Sequence, residues 1–442
     1  MRALAIIVSL AAMASPLVAD VDLTMVPDRD EVELVVYGNQ DVTIVRDRRT
    51  IGLHQGVNTI EFTWADTKID PSSIKIRAVK APEKVLIQQA AYPPNRDNTL
   101  VWTIEAAEAA DYLMEVSYFT AGITWQPHYR VVANDDESKL QLFGAIELIN
   151  GSGEDYENAN AKLVIGDLHL VQPVAEMADK TPGEMLPALA YMPLNRLIVQ
   201  GVESRAYAGA DLRTEEKARA QPSAPPAIAM AGIGEYFIYT IEGRHDMDDG
   251  WRNRFAAISG PGVPVTVRHK YDPQRWGDGA RKFYVFRNVE PSTLGATPLA
   301  GGAVYVLRAR AAEGLVPVTT TEMPYTPIGE ELELDVGGDS LVVVERKLMD
   351  YKKVELSFDR YNRVVGYDTE ETFKIEVRNR SEKPIEIELF EHADGVWAIH
   401  TDAQYEQVDK NTVKFPLKLA SQATASVEFR ISKQHGKNAE PK

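Results

Sequence analysis

The sequence predicts an all-β protein of two or three β-sandwich, immunoglobulin-like domains with one long disordered loop. Two observations carry this. Short runs rich in Val, Ile, Leu, Tyr and Phe recur about every 8–12 residues, the rhythm of a sandwich or barrel. Clusters of Gly, Asn, Asp and Ser separate them, the residues that tight turns require. The stretch from Tyr118 to Asp167 shows the pattern best. Ile123, Trp125 and Tyr129–Val132 form one strand, Leu140–Ile149 a second and Ala161–Ile165 a third. Asn134-Asp135-Asp136 and Asn150-Gly151-Ser152-Gly153-Glu154-Asp155 turn between them, so the stretch reads as a β-meander.

Taken in order, residues 1–19 come first. Arg2 leads an apolar run from Ala3 to Ala14, Ser15-Pro16 breaks it, and Ala19 is a small residue at the expected cut. That is the form of a cleaved secretory signal, which places the chain in the periplasm or outside a Gram-negative-type cell. The run is too short for a membrane span, and no later window is apolar enough for one. Residues 20–110 form an N-terminal β domain. Val32, Leu34 and Val36 alternate with Glu31, Glu33 and Val35; Val42, Ile44 and Val45 follow a Gly38–Asp41 turn; Leu100, Trp102 and Ile104 close the set. Residues 111–350 form a central sandwich domain, interrupted at about 171–234 by a Pro- and Ala-rich stretch without strand spacing. Within it Leu194–Gln200 has the composition of a short strand suited to adding onto a partner's sheet edge. Ala161–Ile165 and Tyr236–Tyr239, on either side, are expected to pair across it. Residues 351–433 form a C-terminal immunoglobulin-like sandwich without a Cys pair: Ile385, Ile387 and Leu389 alternate with Glu386 and Glu388. Residues 434–442 are a polar tail.

Two pieces of this chain carry a resemblance. Gly122-Ile123-Thr124-Trp125-Gln126-Pro127-His128-Tyr129 and Asn150-Gly151-Ser152-Gly153-Glu154-Asp155-Tyr156 resemble the core of a bacterial envelope family called mucoidy inhibitor A-like, built on a conserved domain of unknown function. In that family the second piece ends in Trp, where this chain has Tyr156. The N-terminal β domain resembles that family's N-terminal domain more loosely, and longer members carry a coiled coil between that domain and the core; here Glu105–Asp111 is helix-like but holds no heptads. The resemblance implies an envelope location and no particular activity.

Composition excludes several function classes. Lys and Arg number 48 against 65 Asp and Glu, a net charge of −17, or −18 without residues 1–19. Such a surface repels phosphate backbones and anionic membranes, so nucleic acid is not an expected partner. With no Cys there are no disulfides, no thiol chemistry and no zinc–thiolate site. The H-E-x-x-H, P-loop and nucleophile-elbow motifs are missing, and no metal or cofactor is expected. His392 and His400 flank one segment, either as a loose pair or as separate surface residues. Asp246, Asp248 and Asp249 offer oxygen ligands of a kind calcium favours, or simply a wet hairpin turn.

Glu154 and Asp155 are the candidate acidic pair. Adjacent carboxylates rarely converge on one substrate atom, so the competing reading is a structural turn in which the Glu154 carboxylate is dispensable for stability. Trp251 with Arg252, and Trp276 with Arg275, lie in polar, turn-rich surroundings. They read as a glycan or peptide platform, or as caps on sandwich ends. The combined reading is an exported, non-catalytic protein that binds a partner in the cell envelope, a protein or a glycan. The alternative is a carbohydrate-active enzyme or a glycan-binding protein using loop carboxylates and tryptophans.

Overall fold

A computed structural model describes residues 23–38, 40–94, 96–165, 174–178, 228–233, 236–292 and 294–439. Of these residues 65% are strand and 6% helical, gathered into several separate sheets, so the all-β, multi-domain expectation holds. No helix among them is long and apolar enough to cross a membrane. The signal segment at 1–19 lies outside the described residues, as does Leu194–Gln200.

The chain divides into two compact units. The first takes the described residues within 1–125, 148–221 and 229–253; the second takes those within 126–147, 222–228 and 254–442.

In the first unit a four-stranded sheet runs in the order Leu23–Met25, Gly56–Thr63, Thr99–Ala106, Val85–Ala91. The larger sheet runs Ile228–Ile233, Tyr236–Ile241, Tyr156–Ile165, Glu31–Tyr37, Val42–Leu53, Ala110–Thr120, Lys75–Ala78, with His245–Met247 also paired to Tyr156–Ile165. Phe62 of the small sheet meets Tyr118 of the large one at a ring separation of 6.0 Å and its own neighbour Trp102 at 5.9 Å, a tilted aromatic cluster between the sheets. Cross-strand register also builds a charge ladder on the large sheet. Glu31 lies opposite Arg48, Arg48 opposite Glu115, and Glu115 opposite Arg77, so unlike charges alternate over four strands.

Two expectations change here. Ala161–Ile165 does not continue a meander with the strands before it. Its strand, Tyr156–Ile165, enters the large sheet and pairs in parallel with Glu31–Tyr37, Ala161 beside Leu34 and Leu163 beside Val36. Tyr156, Ala159, Ala161, Leu163 and Val164 are buried, including residues on both faces, and a central strand is where such a run belongs. On its other edge it pairs with Tyr236–Ile241, Leu163 opposite Tyr239, as expected. The segment at 171–234 also contains regular structure. Val174–Ala178 is a helical turn whose Val174 and Met177 are buried; Val174 joins a cluster with Val35, Tyr37, Val164 and Ile238. Ile228–Ile233 is a strand beside Tyr236–Ile241. A single helical turn is too short to leave a periodic signature in sequence.

The second unit holds three sheets. The five-stranded one runs Arg252–Pro264 (here from residue 254), Lys139–Asn150 (to 147), Ile123–Ala133 (from 126), Gly302–Arg310, Gly314–Met323. The six-stranded one runs Glu331–Gly338, Arg281–Arg287, Thr266–Tyr271, Ile385–His392, Thr412–Leu419, Glu406–Asp409. The third is Val342–Phe358, Val364–Asn379, Thr424–Gly436, Trp397–His400. Tyr129, Val131, Leu140 and Val304 pack against Tyr284, Phe286 and Leu334 in one core; Ile387 and Phe415 pack against Val344, Ile375 and Phe429 in another. The parallel pairing of His269 with Ile387 joins strands from both sides of residue 350, which itself falls inside Val342–Phe358.

Trp102 is 2% exposed. Trp102→Ala is expected to destabilise the first unit by about 3–5 kcal/mol, read by chemical denaturation. A loss below about 1 kcal/mol would show that the core of this unit does not depend on the Trp102 ring.

Candidate functional site

The two motif pieces meet in space. Gly122 has φ +86°, and a side chain there would place Cβ 2.4 Å from the Gly151 carbonyl. The contact is bonded, since the Gly151 N–H donates to Gly122 O at 2.8 Å. Gly153 has φ +83°, and its Cβ would stand 2.1 Å from Asp66 O. Both conformations and both approaches exclude any residue larger than Gly. Asn150 ties the turn internally: Nδ2 donates to Glu154 O at 2.8 Å and Met247 O at 2.7 Å, while Oδ1 accepts from Ser152 N at 3.1 Å and Ser152 Oγ at 2.8 Å.

The acidic run at 246–249 closes the same knot. Asp249 Oδ1 accepts from Gly153 N at 2.9 Å, Asp155 Oδ1 accepts from Asp249 N at 2.7 Å, and Asp246 Oδ1 accepts from Asn158 N at 2.8 Å. These carboxylates satisfy turn N–H groups that would otherwise stay unpaired. Among the described residues no three His, Asp or Glu side chains gather as metal ligands.

Arg29 inserts its guanidinium beneath the turn. Nε donates to Asp47 Oδ2 at 2.8 Å, Nη1 to Asp155 O at 2.9 Å, and Nη2 to Glu154 Oε1 and, at 3.4 Å, to the Tyr118 hydroxyl. The hydroxyls of Tyr118 and Tyr156 both donate to Glu154 Oε2 at 2.9 Å. The Asp47 side chain is fully buried and is held from its other side by Arg49, at 2.9 and 2.5 Å. Arg29 also lies 5.2 Å from the centre of the Tyr156 ring. The Glu154 carboxylate therefore accepts three hydrogen bonds and faces a cation. It is no wet turn side chain, which corrects the expectation that it is dispensable for stability. Tyr156, standing where the resembled family has Trp, is fully buried and adds a hydroxyl donor. Burial, then the neighbouring tyrosine and the Glu154 carboxylate, push the Tyr118 pKa well above its ordinary value. Burial, then Glu154, do the same to Tyr156.

The other sequence candidates fall in different surroundings. Trp251 is 62% exposed at the end of the Asp248–Trp251 turn, where its carbonyl accepts from Asn150 N, and Arg252 beside it is exposed. Both belong to the first unit with Glu154 and Asp155; Trp276 and Arg275 belong to the second. Asp272 caps the turn Pro273–Trp276, Trp276 packs on Phe283 at 5.5 Å, and Arg275 lies 5.0 Å over the Trp276 ring. His392 Nδ1 pairs with Thr412 Oγ1 at 3.0 Å and its Nε2 faces Asp272 at 3.1 Å, whereas His400 is exposed.

Sequence reading missed a face. On the five-stranded sheet of the second unit Tyr129 and Val131 point into the core, which sends His128 and Arg130 outward. There they line a cleft of about 830 Å³ with Phe143, Arg254, Ile258 and Tyr305. Arg130 lies 4.8 Å over the Phe143 ring, Arg254 pairs with Glu147 at 3.0 Å, and Tyr305 is 56% exposed. The alternation Gln126, His128, Arg130 was present in the sequence, but only the apolar partners of that alternation marked the strand. A second cleft of the same unit, about 630 Å³, is polar. Its charges are largely matched within it: Glu137 with Lys282, Arg308 and Tyr284, and His269 with Asp339.

The chain belongs to the family described as a domain of unknown function (DUF4139), whose model matches residues 114–437, nearly three quarters of its length. No curated protein matches it.

Two outcomes follow from the knot. Gly153→Val is expected to cost about 3 kcal/mol or more, since strain at positive φ adds to the collision with Asp66; a neutral effect in denaturation would show that the turn can relax. The second outcome concerns alkaline pH. Tyr118 and Tyr156 stay protonated in the folded chain while the unfolded chain ionises above about pH 10, so stability is full below that pH and falls as pH rises through it. The expected slope is about 1.4 kcal/mol per pH unit for each tyrosine, and Tyr156→Phe should remove its share. An unchanged slope in the Phe variant would contradict the assignment.

Proposed function

We propose that this chain is an exported, non-catalytic β-sandwich protein of the bacterial cell envelope, a mucoidy inhibitor A-like protein that binds another envelope protein. One observation carries the non-catalytic part. The Glu154 carboxylate, the better of the two acids the sequence offers, is occupied by Arg29, Tyr118 and Tyr156, and the Asp155 carboxylate by the Asp249 N–H. A general acid or base must reach substrate with its proton-carrying oxygen; both Glu154 oxygens are taken, and Asp155, an exposed side chain with one oxygen bonded to the turn, lacks Glu154 as a second acid to work with. Export is supported by the signal-like residues 1–19 and envelope membership by the two motif pieces.

Binding is assigned to the open face at His128, Arg130, Phe143, Arg254 and Tyr305. Exposed aromatic and arginine side chains on a rigid sheet are the groups that anchor interfaces. Tyr305, open beside the Arg254–Glu147 pair, also favours a second reading, in which the ring stacks on a sugar and the charged pair bonds its hydroxyls.

Three results test the proposal. Protein recovered from the periplasm of a Gram-negative host should begin near Asp20; an intact Met1 there contradicts export by cleavage. Tyr305→Ala with Arg130→Ala should keep the melting temperature and weaken capture of the envelope partner by about tenfold or more. Unchanged capture removes the face from the account, and a glycan array that responds to wild type but not to this variant favours the sugar reading. Glu154→Gln should lower stability without abolishing any turnover on a hydrolase panel; loss of a measurable activity in folded protein restores the enzyme reading.

A further inference from the structure

The hairpin of Val342–Phe358 and Val364–Asn379 leaves the core in its outer half. Val342, Val344, Ile375 and Val377 are buried at its base, whereas no residue from 349 to 365 is. Of the 21 exposed large hydrophobic side chains among the described residues, eight lie within residues 348–365. Such a concentration of apolar surface marks an interaction site. The arm is also braced. Strand Thr424–Gly436 pairs along it as far as Gly366, and Asn438 Nδ2 donates to Glu355 O at 2.7 Å and Asp368 Oδ1 at 2.8 Å. At the tip, Asp359 Oδ1 accepts from the N–H groups of Tyr361 and Arg363 at 2.8 and 2.9 Å. The tip is thus preorganised rather than loose.

The form of the arm selects its partner. Val342–Phe358 is an edge strand, but its register shifts near Asp350 and again near Ser357, Glu355 has φ +50°, and Lys347, Lys352 and Lys353 line it. Bulges and lysines are what keep an edge from adding another strand. Contact therefore runs through side chains. A groove on a folded partner would meet one apolar face, yet Val364 and Val365 point to opposite faces and are 50% and 37% exposed. Surroundings that wet both faces with apolar matter are those of a lipid interface. Tyr361 stands between Arg360 and Arg363, whose guanidinium carbons lie 4.8 and 5.3 Å from its ring centre; Arg363 is paired with Asp359 at 2.8 Å, so Arg360 is the cation offered to a ligand. An aromatic ring flanked by cations suits a layer of anionic headgroups. The net charge of −17 does not forbid this. Roughly 30 Å of strand separates Met349 from Phe358, and exposed charges are screened beyond about 10 Å at moderate salt.

We propose that this tip docks on the surface of an anionic lipid bilayer, seating Phe358, Tyr361 and Val364 among the headgroups and setting Arg360 against phosphates. It needs no membrane span and is independent of the open face assigned above. The test is co-sedimentation of the full chain with phosphatidylethanolamine–phosphatidylglycerol vesicles and, separately, with phosphatidylcholine vesicles. Wild type should prefer the anionic vesicles. Phe358→Ser with Tyr361→Ser should bind about tenfold or more weakly. Arg360→Gln, a change confined to an exposed side chain outside the Asp359 network, should lose the anionic preference at unchanged melting temperature. Failure of wild type to bind anionic vesicles overturns the proposal, as does wild-type binding by the arginine variant. A protein complex that needs the tip, in the absence of vesicle binding, overturns it in favour of a protein partner.

Discussion

A cation largely withdrawn from water must be met by oxygens in fixed positions, and the first unit is arranged around the oxygens that meet Arg29. Desolvating each ion costs several kcal/mol, which only good geometry and complete hydrogen bonding offset. The acceptors come from far apart in the chain. Asp47 lies in Val42–Leu53, Tyr118 in Ala110–Thr120, and Glu154 and Asp155 in the turn that opens Tyr156–Ile165. To bring them to one guanidinium, the register of these strands must be what is observed, with Val45 opposite Tyr118 and Ala161 beside Leu34. The glycines at 122 and 153 follow from the same demand, because the turn must press its backbone against Asp66 at Gly153 and against Gly122 at Gly151 to bring Glu154 inward.

This network also accounts for what was legible in the sequence. Local signals were readable. Alternation at Ile385–Leu389 marked one buried and one wet face, and the polar breaks marked hairpins, because each depends on neighbours within a few residues. The pairing of Leu163 with Tyr239 across the Pro-rich stretch was also foreseeable, since two apolar runs flanked it. Parallel pairings were not. Tyr156–Ile165 beside Glu31–Tyr37, Gly302–Arg310 beside Ile123–Ala133, and Ile385–His392 beside Thr266–Tyr271 join runs more than 100 residues apart with no turn to announce them. The site was obscured in the same way. Glu154 looked like a solvated turn residue because its cation lies 125 residues away.

Functionally, the tight knot leaves its carboxylates little freedom, and the uncommitted chemistry lies on surfaces. In the second unit these are an aromatic and arginine-lined sheet face and an apolar hairpin tip held rigid by Asn438. In the first it is Trp251, exposed at a turn whose backbone belongs to the knot. Rigid sheets that display such groups are suited to recognition, since little ordering entropy is lost on contact.

The central claim is that Arg29 and Glu154 act as one structural element. A double-mutant cycle in chemical denaturation with Arg29→Met, Glu154→Gln and the pair tests it directly. Each single change should cost about 2–4 kcal/mol, reduced from the fully buried case by the partial exposure of both side chains, because it takes one ionic partner from the charge that remains, leaving Arg29 with Asp47 or Glu154 with the two tyrosine hydroxyls. The pair should cost at least about 1 kcal/mol less than the sum. Additivity within about 0.5 kcal/mol would contradict the account.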